Sequence, residues 1–167
     1  YAEPLAPMVA AERAGRPVDW AAVEAARARL EAGLEAASGA FVVEGAGGLL
    51  VPFAREADGA VVDVAALAAR WALDLVVVAA DRLGVLNHAL LTVREAARRG
   101  LRVRAVVLNA VRPAPADVAE VTNLGVLRVL LPGVPVVPFA YVPPGRQDDL
   151  AHLAELGAPL AALLLGA

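Results

Sequence analysis

The chain has 167 residues, 59% of them hydrophobic but only 4% aromatic, enough for one domain with a real core built from Ala, Val and Leu. Fifteen Lys+Arg against eighteen Asp+Glu give a net charge of −3, which excludes a general attraction to nucleic acid or an anionic membrane. There is no cysteine, which removes disulfides, thiolate metal sites and a Cys nucleophile and fits a reducing, cytoplasmic setting.

In chain order, Asp19 is a plausible N-cap for a long helix over residues 20–37, rich in Ala, Leu, Glu and Arg. Ser38-Gly39 ends it. Residues 40–44 form a short apolar run that predicts a strand, 61–71 a helix, and 74–80 a second buried strand. Residues 86–99 predict an amphipathic helix stopped by Gly100 at C′. A third strand is expected over 103–109, a helix over 117–131, a fourth strand over 134–138, and a last helix over 148–165, broken or bent near Gly157 and Pro159. Asp148-Asp149 most simply caps that helix.

Strands alternating with helices predict an α/β fold, a mainly parallel sheet flanked by helices and doubly wound, in a single domain over residues 1–167. The strands are apolar on both sides, which fits a sheet buried on both faces. In such sheets ligands bind beyond the strands' C-terminal ends. Those ends are Glu44, Asp81, Asn109 and the segment after Pro138.

The strongest local signal is Glu44-Gly45-Ala46-Gly47-Gly48, directly after Phe41-Val42-Val43. A carboxylate can hold Mg²⁺, and glycine-rich backbone can approach phosphate oxygens. A tight turn with an incidental acid fits the same residues. Arg82-Leu83-Gly84-Val85-Leu86-Asn87-His88 opens a helix, whose free N–H groups suit a carboxylate or phosphate. A simple βα turn with Asn87 near a cap fits equally. His88, beside two leucines, reads as a packed, hydrogen-bonded residue, and with His152 the only other histidine a zinc site is not expected. Asn109 can both donate and accept, which matches an adenine edge, or it simply starts a loop. The loop over 138–147 is either a rigid wall around a base or a connection. Arg98, Arg99, Arg102 and Arg104 read as a solvated helix end.

The apolar stretch 73–86 contains Asp74, Asp81 and Arg82, and the apolar tail 160–165 is too short to span a bilayer, so neither membrane nor nucleic-acid partners are expected. The chain opens on Tyr1, not Met, and nothing in it matches GxxxxGK[ST], the loop that normally cradles a nucleotide's phosphates. Both observations predict a sequence that starts inside a longer protein.

These motifs, in order, resemble the dethiobiotin synthetase family from Tyr1 to about Gln147. Ala2-Glu3-Pro4-Leu5-Ala6-Pro7 with Gly15-Arg16-Pro17-Val18 resembles its aromatic-x-x-P-x-S-P-H segment and following G-[RK]-P-I. Val43-Glu44-Gly45-Ala46-Gly47-Gly48 with Pro52 resembles its most distinctive run, VEGAGG followed shortly by Pro. Leu83-Gly84-Val85-Leu86-Asn87-His88 resembles its L-G-x-[IL]-N-H, Val107-Leu108-Asn109 its V-x-N, and Thr122-Asn123 a frequent T-N pair.

The resemblance implies a P-loop NTPase-like fold with its N-terminal βα units missing here. It implies an ATP- and Mg²⁺-dependent ligase that closes the ureido ring of dethiobiotin from 7,8-diaminopelargonic acid and CO2, acting as a homodimer with its site at the subunit interface. Carried over, Glu44 would be the catalytic, Mg²⁺-binding carboxylate, and Gly45, Ala46, Gly47 and Gly48 would line the diamine and phosphates. Gly84, Val85, Leu86 and Asn87 of one subunit would receive the substrate carboxylate from the other's site. Asn109 would contact adenine, with Pro138, Phe139, Ala140 and Tyr141 beside it.

The family's Walker loop, its lysine motif and an early Mg²⁺-binding Asp would lie upstream of Tyr1. Ala6 and Met8 stand where the family has Ser and His, and the loop over 53–60 looks longer than usual. The 167 residues alone are therefore expected to be inactive. A non-catalytic binding or regulatory module of this fold, or a cobyrinic acid diamide synthase relative, fits the same motifs.

Overall fold

The computed structural model describes residues 1–37, 40–114 and 117–166. The proposed helix stop at Ser38-Gly39 lies outside the described residues. Two compact units are formed, Tyr1–Arg70 and Trp71–Ala167.

The first unit holds α1 (Pro7–Arg13), α2 (Trp20–Ala37), β1 (Pro52–Arg55), β2 (Val61–Asp63) and α3 (Val64–Arg70). Helix α1 starts on Pro7, whose fixed φ suits a first helical position. It buries Ala10 and Ala11 and packs on β1. Asp19 caps α2 as expected, its Oδ1 accepting the Ala22 N–H at 3.0 Å.

Strands β1 and β2 form an antiparallel pair with a register shift between Pro52 and Ala54. Gly59, at φ 88°, supplies the left-handed residue of the connecting turn. The expected helix over 61–71 is thus a strand followed by a helix. Val62 alternates inward along β2, and Asp63 accepts the Ala66 N–H at 2.8 Å to start α3 one turn later. Part of the 53–60 loop is strand β1.

The expected strand over 40–44 is not formed. Among the described residues nothing pairs with it, and Val42 and Val43 are exposed. An apolar run without a neighbouring edge has no ladder to join.

The second unit repeats β-α three times: β3 (Leu75–Asp81), α4 (Val85–Arg98), β4 (Val103–Ala110), α5 (Val118–Leu130), β5 (Val136–Phe139) and α6 (Leu150–Leu165). The three strands make a parallel sheet in the order β3-β4-β5. This is the α/β, helix-flanked architecture expected from the alternation of patterns. Helix α4 buries Val85, Ala89, Val93 and Ala96, a single stripe at helical spacing. Gly100 takes φ 73° just past its end. Asp117 and Asp149 cap α5 and α6 through the Glu120 and His152 N–H groups, each at 3.0 Å.

Val106, Leu108, Leu127 and Val136 centre the core between sheet and helices. Strand β4 is buried along its middle, but β3 exposes Val76 and Val78 on one face. The expectation of burial on both faces therefore holds for β4 and not for β3, which stands at the edge of the described sheet. Helix α6 runs unbroken through Gly157 and Pro159, so of the expected break or bend the break is not formed. Among the described residues no helix is long and apolar enough to cross a membrane.

Candidate functional site

In the first unit, Glu44 and residues 45–48 form an exposed loop without regular structure. Two of its glycines are required by geometry. A Cβ on Gly45 would sit 2.8 Å from Val64 Cγ1, so the backbone there passes too close to the start of α3 for any side chain. Gly47 has φ 83°, and its Cβ would lie 2.8 Å from Val51 Cγ2. Gly48 has open space, and its carbonyl accepts the Val51 N–H at 3.0 Å. Leu49 and Val51 carbonyls accept the Ala65 and Val64 N–H groups at 2.9 and 3.1 Å, which ties the far end of the loop to α3.

Glu44 has no partner among the described residues, so its carboxylate is available to a cation. Mg²⁺ keeps several waters and commonly takes only one or two carboxylates together with substrate phosphates. Glu44 fits as one such ligand. No group of three or more His, Cys, Asp or Glu is assembled among the described residues, so a complete protein cage is not formed there.

A little upstream, Ala6 is the N-cap of α1 and makes no side-chain bond. A serine at that position has the hydroxyl to cap the helix.

In the second unit the strand ends converge as the parallel register requires: Asp81 lies opposite Ala110, and Asn109 opposite Phe139. Gly84, at φ 93° and ψ −10°, is the N-cap of α4 and provides no side-chain cap. The Val85 N–H turns back to the Arg82 carbonyl at 3.1 Å. The Leu86 and Asn87 N–H groups have no partner among the described residues and face the helix's positive end. Asn87 is exposed beside them. His88 is also exposed, not packed as expected, because the buried stripe of α4 runs through Val85 and Ala89 instead.

Asn109 is half-buried at the end of β4. Close to it, a pocket of about 210 Å³ is lined by Asp81, Ala110, Arg112, Glu120, Ala140 and Tyr141, among others. Pro138 and Phe139 end β5 just before this wall. Glu120 is nearly buried, and Arg112 pairs with it at 3.2 Å. Asn123, 2% exposed, donates to Asp81 at 2.8 Å.

Arg112 and Glu120 were not legible as site residues, and Asn123 was legible only as half of the Thr122-Asn123 pair, with no role attached. The signal available for them was the polar character of positions 120 and 123, one helical turn or two before the buried Leu127 on the sheet-facing side of α5.

Residues 1–138 match a family described as an AAA domain. The chain belongs to that family. It is 47% identical to an ATP-dependent dethiobiotin synthetase BioD from Anaeromyxobacter dehalogenans, over 97% of this chain and 66% of that protein. It is 40% identical to the one from Streptomyces avermitilis, over 87% of the chain and 60% of the relative. With the Bacillus subtilis protein of the same name identity is 33%, over 82% and 54%. The dethiobiotin synthetase resemblance carried by the motifs is therefore supported along most of the chain, and the three-stranded parallel sheet agrees with a P-loop NTPase-like fold. The chain spans between 54% and 66% of the length of these relatives.

Proposed function

We propose that this chain is the larger part of a dethiobiotin synthetase, an ATP- and Mg²⁺-dependent ligase that closes a cyclic urea on 7,8-diaminopelargonic acid with CO2, in the cytoplasm. The observation that carries the reading is the loop at 44–48. Its free carboxylate, steric glycines and exposed backbone occur within a chain 47% identical to an ATP-dependent dethiobiotin synthetase.

One substrate amine adds to CO2, loses a proton and becomes a carbamate. A carbamate oxygen takes the γ-phosphoryl group and ADP leaves. The second amine then attacks the activated carbonyl carbon, phosphate departs with the proton that amine gives up, and the ring closes. None of these steps needs a side-chain nucleophile; they need positioning and charge neutralisation. Glu44 would be one ligand of the Mg²⁺, which when bound would neutralise phosphate charge. Gly45, Ala46, Gly47 and Gly48 let the diamine and phosphates approach the main chain. In a homodimer, Gly84, Val85, Leu86 and Asn87 of the second subunit receive the substrate carboxylate on the first-turn N–H groups of α4. Asn109 reads the adenine edge, with Pro138, Phe139, Ala140 and Tyr141 alongside.

All fifteen basic residues of the chain are arginines, and no GxxxxGK[ST] loop is present. These 167 residues therefore offer no lysine to a phosphate. That favours one second reading, a non-catalytic module that binds nucleotide or diamine without turnover.

The test supplies the intact protein with diamine, bicarbonate and Mg²⁺-ATP and measures dethiobiotin and ADP together. One ADP per ring is expected. Nucleotide binding with no product from the intact protein would move the assignment to the binding module.

A further inference from the structure

Asn123 lies inside α5 at a position that packing alone would give to an apolar residue. Leu127, one turn on and on the same side, is fully buried in the core. A buried amide is costly unless its donors are used. Here both are used, and on consecutive residues: Nδ2 donates to Asp81 Oδ1 at 2.8 Å and reaches the Arg82 carbonyl at 3.5 Å. Asp81 ends β3, and Arg82 opens the turn into α4. The same Arg82 carbonyl accepts the Val85 N–H at 3.1 Å. The turn's own cap contributes nothing, since Gly84 has no side chain. The turn is thus also held from another helix, across 42 residues of sequence.

We propose that Asn123 is a positioning residue: it clamps Asp81 and the Arg82 carbonyl so that the first-turn N–H groups of α4 stay aimed at the substrate carboxylate. Its kinetic consequence rests on the ligase reading above; the clamp itself does not.

The experiment compares the intact wild-type protein with Asn123→Leu, which keeps side-chain bulk and removes both donors, with Asn123→Asp, and with the exchanged pair Asp81→Asn/Asn123→Asp. Amide hydrogen exchange is read at Val85 and His88, whose N–H groups bond the Arg82 and Gly84 carbonyls, and KM is measured separately for diamine and for ATP. Asn123→Leu is expected to speed exchange there by about tenfold or more while β4 keeps its protection. It should raise KM for the diamine by about tenfold and leave KM for ATP within about twofold. Asn123→Asp should be worse, since two carboxylates would meet, and the exchanged pair should recover most of the loss by restoring a donor to a carboxylate.

Unchanged exchange in Asn123→Leu would overturn the clamp, and an equal rise in both KM values would overturn its positioning role. If Asn123→Leu does not fold, the exchanged pair decides: no recovery relative to Asn123→Asp overturns it. If the wild-type protein closes no ring, the ligase reading fails on that result alone, and the exchange measurement still decides the clamp.

Discussion

At the scale of single residues, the glycines of the 44–48 loop separate into two kinds. Gly45 and Gly47 are held by the fold, one by the approach of Val64 and one by its left-handed φ and Val51. Gly48 meets nothing. Gly45→Ala and Gly47→Ala should each lower stability by about 1–3 kcal/mol, because a shift of backbone or valine is forced. Gly48→Ala should stay within about 0.5 kcal/mol. Urea denaturation of the three variants checks this, and equal costs at all three positions would contradict the geometry. On the ligase reading, Gly48→Ala should nevertheless lower kcat/KM, since its open space is where substrate approaches the main chain.

At the scale of elements, α4 carries its own electrostatic support near its C-terminal end. Glu95 receives hydrogen bonds from Arg98 at 2.7 and 2.8 Å and from Arg99 at 2.6 Å. Those two guanidiniums hold its carboxyl down to about 2, from an ordinary 4.5. A carboxylate with a depressed folded-state pKa contributes stability above its unfolded value and loses it as pH falls through the folded one. The Glu95 contribution is therefore complete above about 4.5 and fades towards 2. Glu95→Gln should flatten that part of the acid limb of the melting-temperature profile; an unchanged slope between pH 2 and 5 would contradict it. The arginine cluster read as a solvated helix end is thus partly committed, with Arg98 and Arg99 on Glu95 and Arg102 and Arg104 near Asp74.

The elements of the second unit were legible because each signal is local. Apolar runs alternate with amphipathic ones, Gly100 stops α4, and Asp117 and Asp149 cap the next two helices. The first unit was read less well. Residues 40–44 look like a strand to any periodicity argument, but a strand needs a neighbour, and that is not a local property. The β1–β2 pair was missed because its strands are short and the pairing slips beside Pro52. The candidate site was legible where a motif is contiguous, as at Glu44 and Gly84. At Asn123 the Thr122-Asn123 pair was legible but its role was not, because its partner lies 42 residues away.

At the scale of the whole molecule, the proposed site takes Glu44 from one subunit and Asn87 from another. This predicts complementation. Glu44→Gln and Asn87→Asp should each be nearly inactive as homodimers. Mixed after reversible dissociation, about half of the dimers carry one of each, and one of their two sites is intact, so about a quarter of wild-type activity should return. Mixtures no more active than the mean of the two variants would place both residues in one subunit's site.

On the ligase reading, the exposed carboxylate of the 44–48 loop serves an ATP-dependent ring closure. Its most direct test is dethiobiotin formation by intact wild-type and Glu44→Gln protein across a Mg²⁺ titration, with ADP counted against product. One ADP per ring is expected in the wild type. In Glu44→Gln the rate should be lower by about 100-fold and the half-saturating Mg²⁺ higher by about tenfold, with the melting temperature unchanged. Equal turnover and equal Mg²⁺ dependence in the two proteins would contradict it.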